Sequence, residues 1–184
     1  DCGSPISRRY LVIEGLTGAL FLVGSLVVGV EWRLLLVWAF FAVLVAVSFI
    51  DFDHLIIPDR IVLPASVVGL AGSVALSPTR WWVYLVAGLG AALFLLIVAL
   101  VWPGGMGLGD VKLSLLLGFV LGAEVVVAMF AAFLIGGLVG VGLLAIKRRS
   151  RKDRIPFGPF LAVGGIISCL VGRSIVEWYV ALMR

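Results

Sequence analysis

Cysteine is nearly absent from this chain: Cys2 and Cys169, far apart, are the whole supply. Two such residues give no disulfide framework. Charge is scarce as well, with 13% of the 184 residues charged against 63% apolar and a mean hydropathy of +1.26. Soluble domains carry about 25% charged and roughly 45–50% apolar residues, so a soluble globular domain is excluded. Also missing is the alternation over segments of about ten residues that a membrane β-barrel needs. No cleavable signal peptide is visible, and the first apolar run is long enough to span by itself. The net charge of +4 calls for no nucleic-acid partner, because positive residues beside spans set orientation and meet anionic lipid. What remains is an all-α, polytopic membrane protein. The chain opens on Asp1 inside a polar segment, as a fragment or a processed product would.

Long apolar runs place about seven spans, at about Tyr10–Val30, Leu34–Ile50, Ile61–Leu76, Trp81–Trp102, Val111–Leu121, Val125–Ile146 and from Pro156 to the C-terminus. Arg173 and Glu177 fall well inside the last of these, four apart on one helix face, where an ion pair is the simple account. The fifth run is short: eleven helical residues rise about 16 Å, roughly half of a 30 Å hydrocarbon core. If the N-terminus is cytoplasmic, ten of the fourteen basic residues lie on that side, including the run from Lys147 to Arg154. That bias follows the positive-inside rule. It sends two unusual loops to the cytoplasmic face.

The first loop, Asp51-Phe52-Asp53-His54-Leu55-Ile56-Ile57-Pro58-Asp59-Arg60, is the only acidic cluster, and Pro58 disfavours helix at Ile57. The second, Pro103-Gly104-Gly105-Met106-Gly107-Leu108-Gly109-Asp110, has four glycines within six residues. Each glycine costs a helix about 1 kcal/mol against alanine. Irregular backbone and a carboxylate at a membrane boundary are both costly in lipid, so the default reading is functional. The brevity of the run after Asp110 draws that residue below the surface, where Asp51 at the end of the second span can meet it.

Two facing aspartates share a proton, since like charges a few ångströms apart resist joint ionisation. The ionised member can act as general base towards water, while the protonated one donates to the carbonyl under attack. This is aspartic peptidase chemistry and needs no metal or cofactor. It needs an extended substrate, with which the flexible glycine backbone at Gly107 and Gly109 could pair. Carboxylate-based proton or ion transport uses the same kind of intramembrane acid and is the alternative.

Around the pair, Asp53 and Asp59 read as loop-solvating or capping acids, or as attractors of a basic substrate. Lys112 has lipid phosphate as its default partner and an acid as the other choice. Glu14 reads as a snorkelling acid or a partner of Arg8 or Arg9. His54 reads as a plain interfacial residue. The Gly and Ala residues of spans four to six suit close helix packing.

Gly107-Leu108-Gly109-Asp110 matches the Gly-x-Gly-Asp signature of intramembrane aspartic peptidases. Gly105 to Leu113 resembles the second aspartate motif of the type IV prepilin peptidases, and Phe49 to His54 with Ile57-Pro58-Asp59 resembles the first. Ser4 to Tyr10 followed by Glu14, and Pro156-Phe157-Gly158-Pro159-Phe160, resemble the family's flanking motifs. The resemblance implies an aspartic endopeptidase with Asp51 and Asp110 catalytic. Its substrate would be a type IV prepilin or type II secretion pseudopilin, cut behind a short basic leader. It also implies a bacterial inner membrane location, with the site towards the cytoplasm. Residues 1–9 then read as the remnant of a cytoplasmic segment and residues 10–184 as the peptidase core. Many family members carry two paired-cysteine motifs linked to methylation. Cys2 alone cannot make a four-ligand zinc site, which leaves methyltransferase activity doubtful for this chain. Anionic lipid at the basic loop is an expected partner, and a homo-oligomer is compatible with the reading.

Overall fold

The computed structural model describes residues 8–102, 105–145 and 156–183. The flanking motif at 4–7, Pro103-Gly104 and the basic run at 147–154 lie outside them. The described residues form seven α-helices: α1 (Arg8–Val28), α2 (Trp32–His54), α3 (Asp59–Leu76), α4 (Trp81–Val101), α5 (Leu108–Leu121), α6 (Val125–Ala145) and α7 (Gly158–Leu182). No strand occurs among the described residues. Six stretches among the described residues are long and apolar enough to cross a membrane. The sequence suggested about seven. The difference is α5, whose 14 residues run through a short 3-10 turn at Gly122–Glu124 into α6.

Two boundaries depart from expectation in ways that affect the site. The second helix does not stop before Asp51; it carries on through Asp51-Phe52-Asp53-His54. The fifth begins at Leu108, three residues earlier than the apolar run, so Asp110 lies inside its first turn. With 14 residues it rises about 21 Å, against about 31 Å for the 21 residues of α4 or α6.

The short helix is the centre of the bundle. It packs against α3, α4, α6 and α7. Leu113, Leu116 and Leu117 on α5 join Phe41, Leu44 and Val47 on α2 and Leu161 on α7 in the fully buried core. Apolar side chains all round a helix are what a central position requires. The outer helices keep large apolar groups exposed, as Leu26, Phe94 and Leu100 do, which suits a lipid surround.

Small residues set the helix spacing at specific points. A Cβ on Gly118 of α5 would lie 2.4 Å from the Cα of Gly88 on α4, and one on Gly164 of α7 would lie 2.2 Å from the carbonyl oxygen of Ala128 on α6. These pairs bear out the packing role expected of the glycines. Gly90, Gly137, Gly140 and Gly142 have no such neighbour within 4 Å, so the role does not extend to them.

The connectors sort to two ends. Those after α2 and α4 line one cavity together. Glu31, Ser77–Arg80 and Glu124, from the connectors after α1, α3 and α5, line another with Arg33 of α2 and Arg173 and Glu177 of α7. Arg173 Nε and Glu177 Oε1 are 2.8 Å apart. That pair is exposed to solvent, which screens it.

Candidate active site

Asp51 lies in the last turn of α2. Its main-chain oxygen accepts the N–H of Leu55 at 2.9 Å, which closes the helix. Leu55 sits in the left-handed region at φ 54°, ψ 35°. A side chain there costs roughly 1–2 kcal/mol. Oδ2 of the Asp51 side chain accepts the N–H of Gly158, the first residue of α7, at 3.0 Å. Helix N-termini offer unpaired N–H groups that suit a carboxylate.

Asp110 is held by the turn that starts its own helix. The Gly107 N–H donates to Asp110 Oδ2 at 3.1 Å, and the Asp110 N–H returns to the Gly107 oxygen at 3.1 Å. This reciprocal closure resembles half of a capping box. Asp110 therefore has a structural role at a helix start as well as a position at the cavity. The two carboxylates come from different helices and are 5% and 6% exposed.

Both line one cavity of about 560 Å³. Its walls are the α2–α3 connector, with Ile57 and Pro58, and the Gly107-Leu108-Gly109 turn. Two glycines allow close approach around the site. A Cβ on Gly158 would lie 2.6 Å from Asp51 Oδ2, and one on Gly109 would lie 2.7 Å from the Cβ of Ile57. Gly107 differs: a Cβ there would be 3.6 Å from Asp110 Oδ2, an ordinary contact. Its φ of −87° and ψ of 151° suit any residue.

Two charged pairs lie near the site. Lys112 Nζ lies 2.7 Å from both carboxylate oxygens of Asp59, which joins the first turn of α5 to that of α3. The default of lipid phosphate as its partner gives way to this acid. Arg9 reaches Asp53 at 2.5 Å and sits 5.6 Å from the ring centre of Phe49, which ties α1 to α2. Asp59 and Lys112 line the cavity, whereas Asp53, His54 and Glu14 do not. Glu14 is exposed on α1.

Asp51, Asp110, Gly107, Gly109, Asp59 and Lys112 are thus brought together from the sequence reading. Gly158 and Ile57 were missed as site residues. The signal available for Gly158 was its place in the Pro-Phe-Gly-Pro stretch, a glycine at a helix start.

The family model for the type IV leader peptidases matches residues 38–141. The chain belongs to that family. The matched stretch of this leader peptidase family member runs from α2 to α6 and takes in both aspartates, while Gly158 lies beyond it. The Bacillus subtilis prepilin leader peptidase/N-methyltransferase is 33% identical over 99% of this chain and 74% of its own length. The proteins of that name from Aeromonas hydrophila and Legionella pneumophila are 36% and 33% identical over 97% and 98% of this chain. There the chain spans 63% and 65% of the relative, less than two thirds. No solved structure matches.

Proposed function

We propose that the chain is an intramembrane aspartic endopeptidase that removes the short basic leader from type IV prepilins or type II secretion pseudopilins. The observation that carries this reading is the meeting of Asp51 and Asp110, from α2 and α5, at one cavity. Membership of the leader peptidase family favours peptide hydrolysis over carboxylate-based transport. Each aspartate has Oδ2 tied to a backbone N–H, which leaves Oδ1 to face water or a scissile carbonyl.

In the proposed reaction one carboxylate takes a proton from water as it attacks the peptide carbon. The other, protonated, donates to the carbonyl oxygen, and a proton then passes to the leaving amine as the C–N bond breaks. The peptide must be extended there, because a helix shields its own amides. Burial keeps competing water few and strengthens each charge interaction. We place the site at the cytoplasmic face of the inner membrane on the strength of the basic-residue bias, with residues 10–184 as the peptidase core and Asp51 and Asp110 as its catalytic pair.

The test is direct. Purified protein incubated with a prepilin should yield product shortened by the leader, identified by mass spectrometry. Intact precursor, together with substrate-dependent proton flux in liposomes, would support transport instead.

A further inference from the structure

Ile57 occupies an unusual place between the two carboxylate supports. It is 7% exposed, belongs to the apolar core, and also lines the cavity. On one side it lies against Gly109, the residue before Asp110: a Cβ there would meet Ile57 Cβ at 2.7 Å and Cγ1 at 3.3 Å. On the other it lies against Gly158, whose N–H holds Asp51: a Cβ there would meet Ile57 Cδ1 at 3.1 Å. One side chain therefore separates the start of α5 from the start of α7.

The local sequence makes that side chain stiff. Pro58 follows and restricts the Ile57 backbone to extended conformations. Pro58 is itself extended, at φ −74° and ψ 120°, and opens α3. Branching at Cβ narrows the rotamer choice further. A flexible residue here would fill the volume without fixing the spacing.

We propose that Ile57 is a positioning residue that sets the separation of Asp51 and Asp110, its branched side chain seated between Gly109 and Gly158. Its catalytic consequence rests on the peptidase reading; its effect on spacing does not. Ile57→Ala removes Cγ1, Cγ2 and Cδ1 and frees both helix starts to close in. Ile57→Val keeps Cβ and Cγ1 against Gly109 and gives up Cδ1, which faces Gly158 and is the farthest of the three atoms near Gly109, so its effect is smaller.

The test combines a distance with kinetics. Phe52 and Leu108, both exposed, flank the two aspartates and accept spin labels as cysteines, with Cys2 and Cys169 replaced by serine. Pulsed electron resonance in nanodiscs then reads the α2–α5 spacing without any substrate. Ile57→Ala should shift or broaden the distance distribution, and in the unlabelled protein should lower kcat about ten- to a hundredfold with KM within about twofold. Ile57→Val should fall between it and the parent. Val62→Ala is the control, because Val62 is fully buried in α3 but is not among the nearest atoms to either glycine.

A parental distance distribution in Ile57→Ala would overturn the proposal, and so would an equal change in Val62→Ala. Should Ile57→Ala not fold, Ile57→Val carries the same comparison. A changed distance in Ile57→Ala, where the parent protein itself cleaves no prepilin, would sink the peptidase reading and leave the spacer intact.

Discussion

The N–H of Gly158 donates to Asp51 Oδ2 at 3.0 Å, across a separation of 107 residues, and position 158 has no room for a β-carbon. The start of α7 thus fixes a carboxylate at the end of α2. Gly158→Ala is expected to push the Asp51 side chain aside. A displacement of about 1 Å at a reacting group costs on the order of a hundredfold in rate, which initial-rate measurements of leader removal would read. Helical circular dichroism should stay parental.

The two motif glycines should differ in tolerance. Gly109→Ala places a Cβ 2.7 Å from that of Ile57, and Ile57→Ala cannot relieve it because alanine keeps that carbon. Gly107→Ala meets only an ordinary contact and has backbone angles open to alanine. Cleavage should fall at least tenfold for the first, by analogy with the same positional sensitivity, and stay within about twofold for the second. Equal losses would show that the motif serves something other than packing against Ile57.

The connectors were legible because glycine and proline announce themselves in an apolar chain. Asp51 and Asp110 could be singled out since a carboxylate beside such a break stands out against hydropathy. Helix ends were less legible. Asp51-Phe52-Asp53-His54 has the composition of a loop, yet it is the last turn of α2, closed by a left-handed Leu55 that no residue preference announces. The partner of Lys112 also escaped, because choosing Asp59 over a lipid phosphate requires α3 and α5 to lie side by side. Gly158 was furthest from reach. Its role depends on a contact between helices that nothing local encodes.

The Lys112–Asp59 pair should contribute little to stability. Its side chains are 35% and 55% exposed, and exposed pairs typically couple by about 0.2–1 kcal/mol. A double-mutant cycle with Lys112→Ala and Asp59→Ala, followed by unfolding in mixed detergent micelles, should return a coupling in that range and a smaller one at high salt. A coupling of several kcal/mol would mean that the pair is far less solvated than its exposure indicates.

Helix packing can be checked away from the cavity. Gly118→Ala drives a Cβ to 2.4 Å from the Gly88 Cα, a backbone contact that no rotamer relieves. Overpacking of this kind costs about 1–3 kcal/mol. Gly140→Ala, in open space, should be neutral or slightly stabilising, because alanine favours helix. The same unfolding measurement separates the two.

The most direct measurement is leader cleavage by purified Asp51→Asn and Asp110→Asn, each compared with the parent at equal folded protein. Asparagine keeps the size of the side chain and an oxygen to accept the Gly158 or Gly107 N–H, but it can neither take a proton from water nor supply one. Both single variants are expected to stay folded in the membrane and to leave the prepilin uncut. Substantial cleavage by either one would contradict the assignment of Asp51 and Asp110 as the catalytic pair.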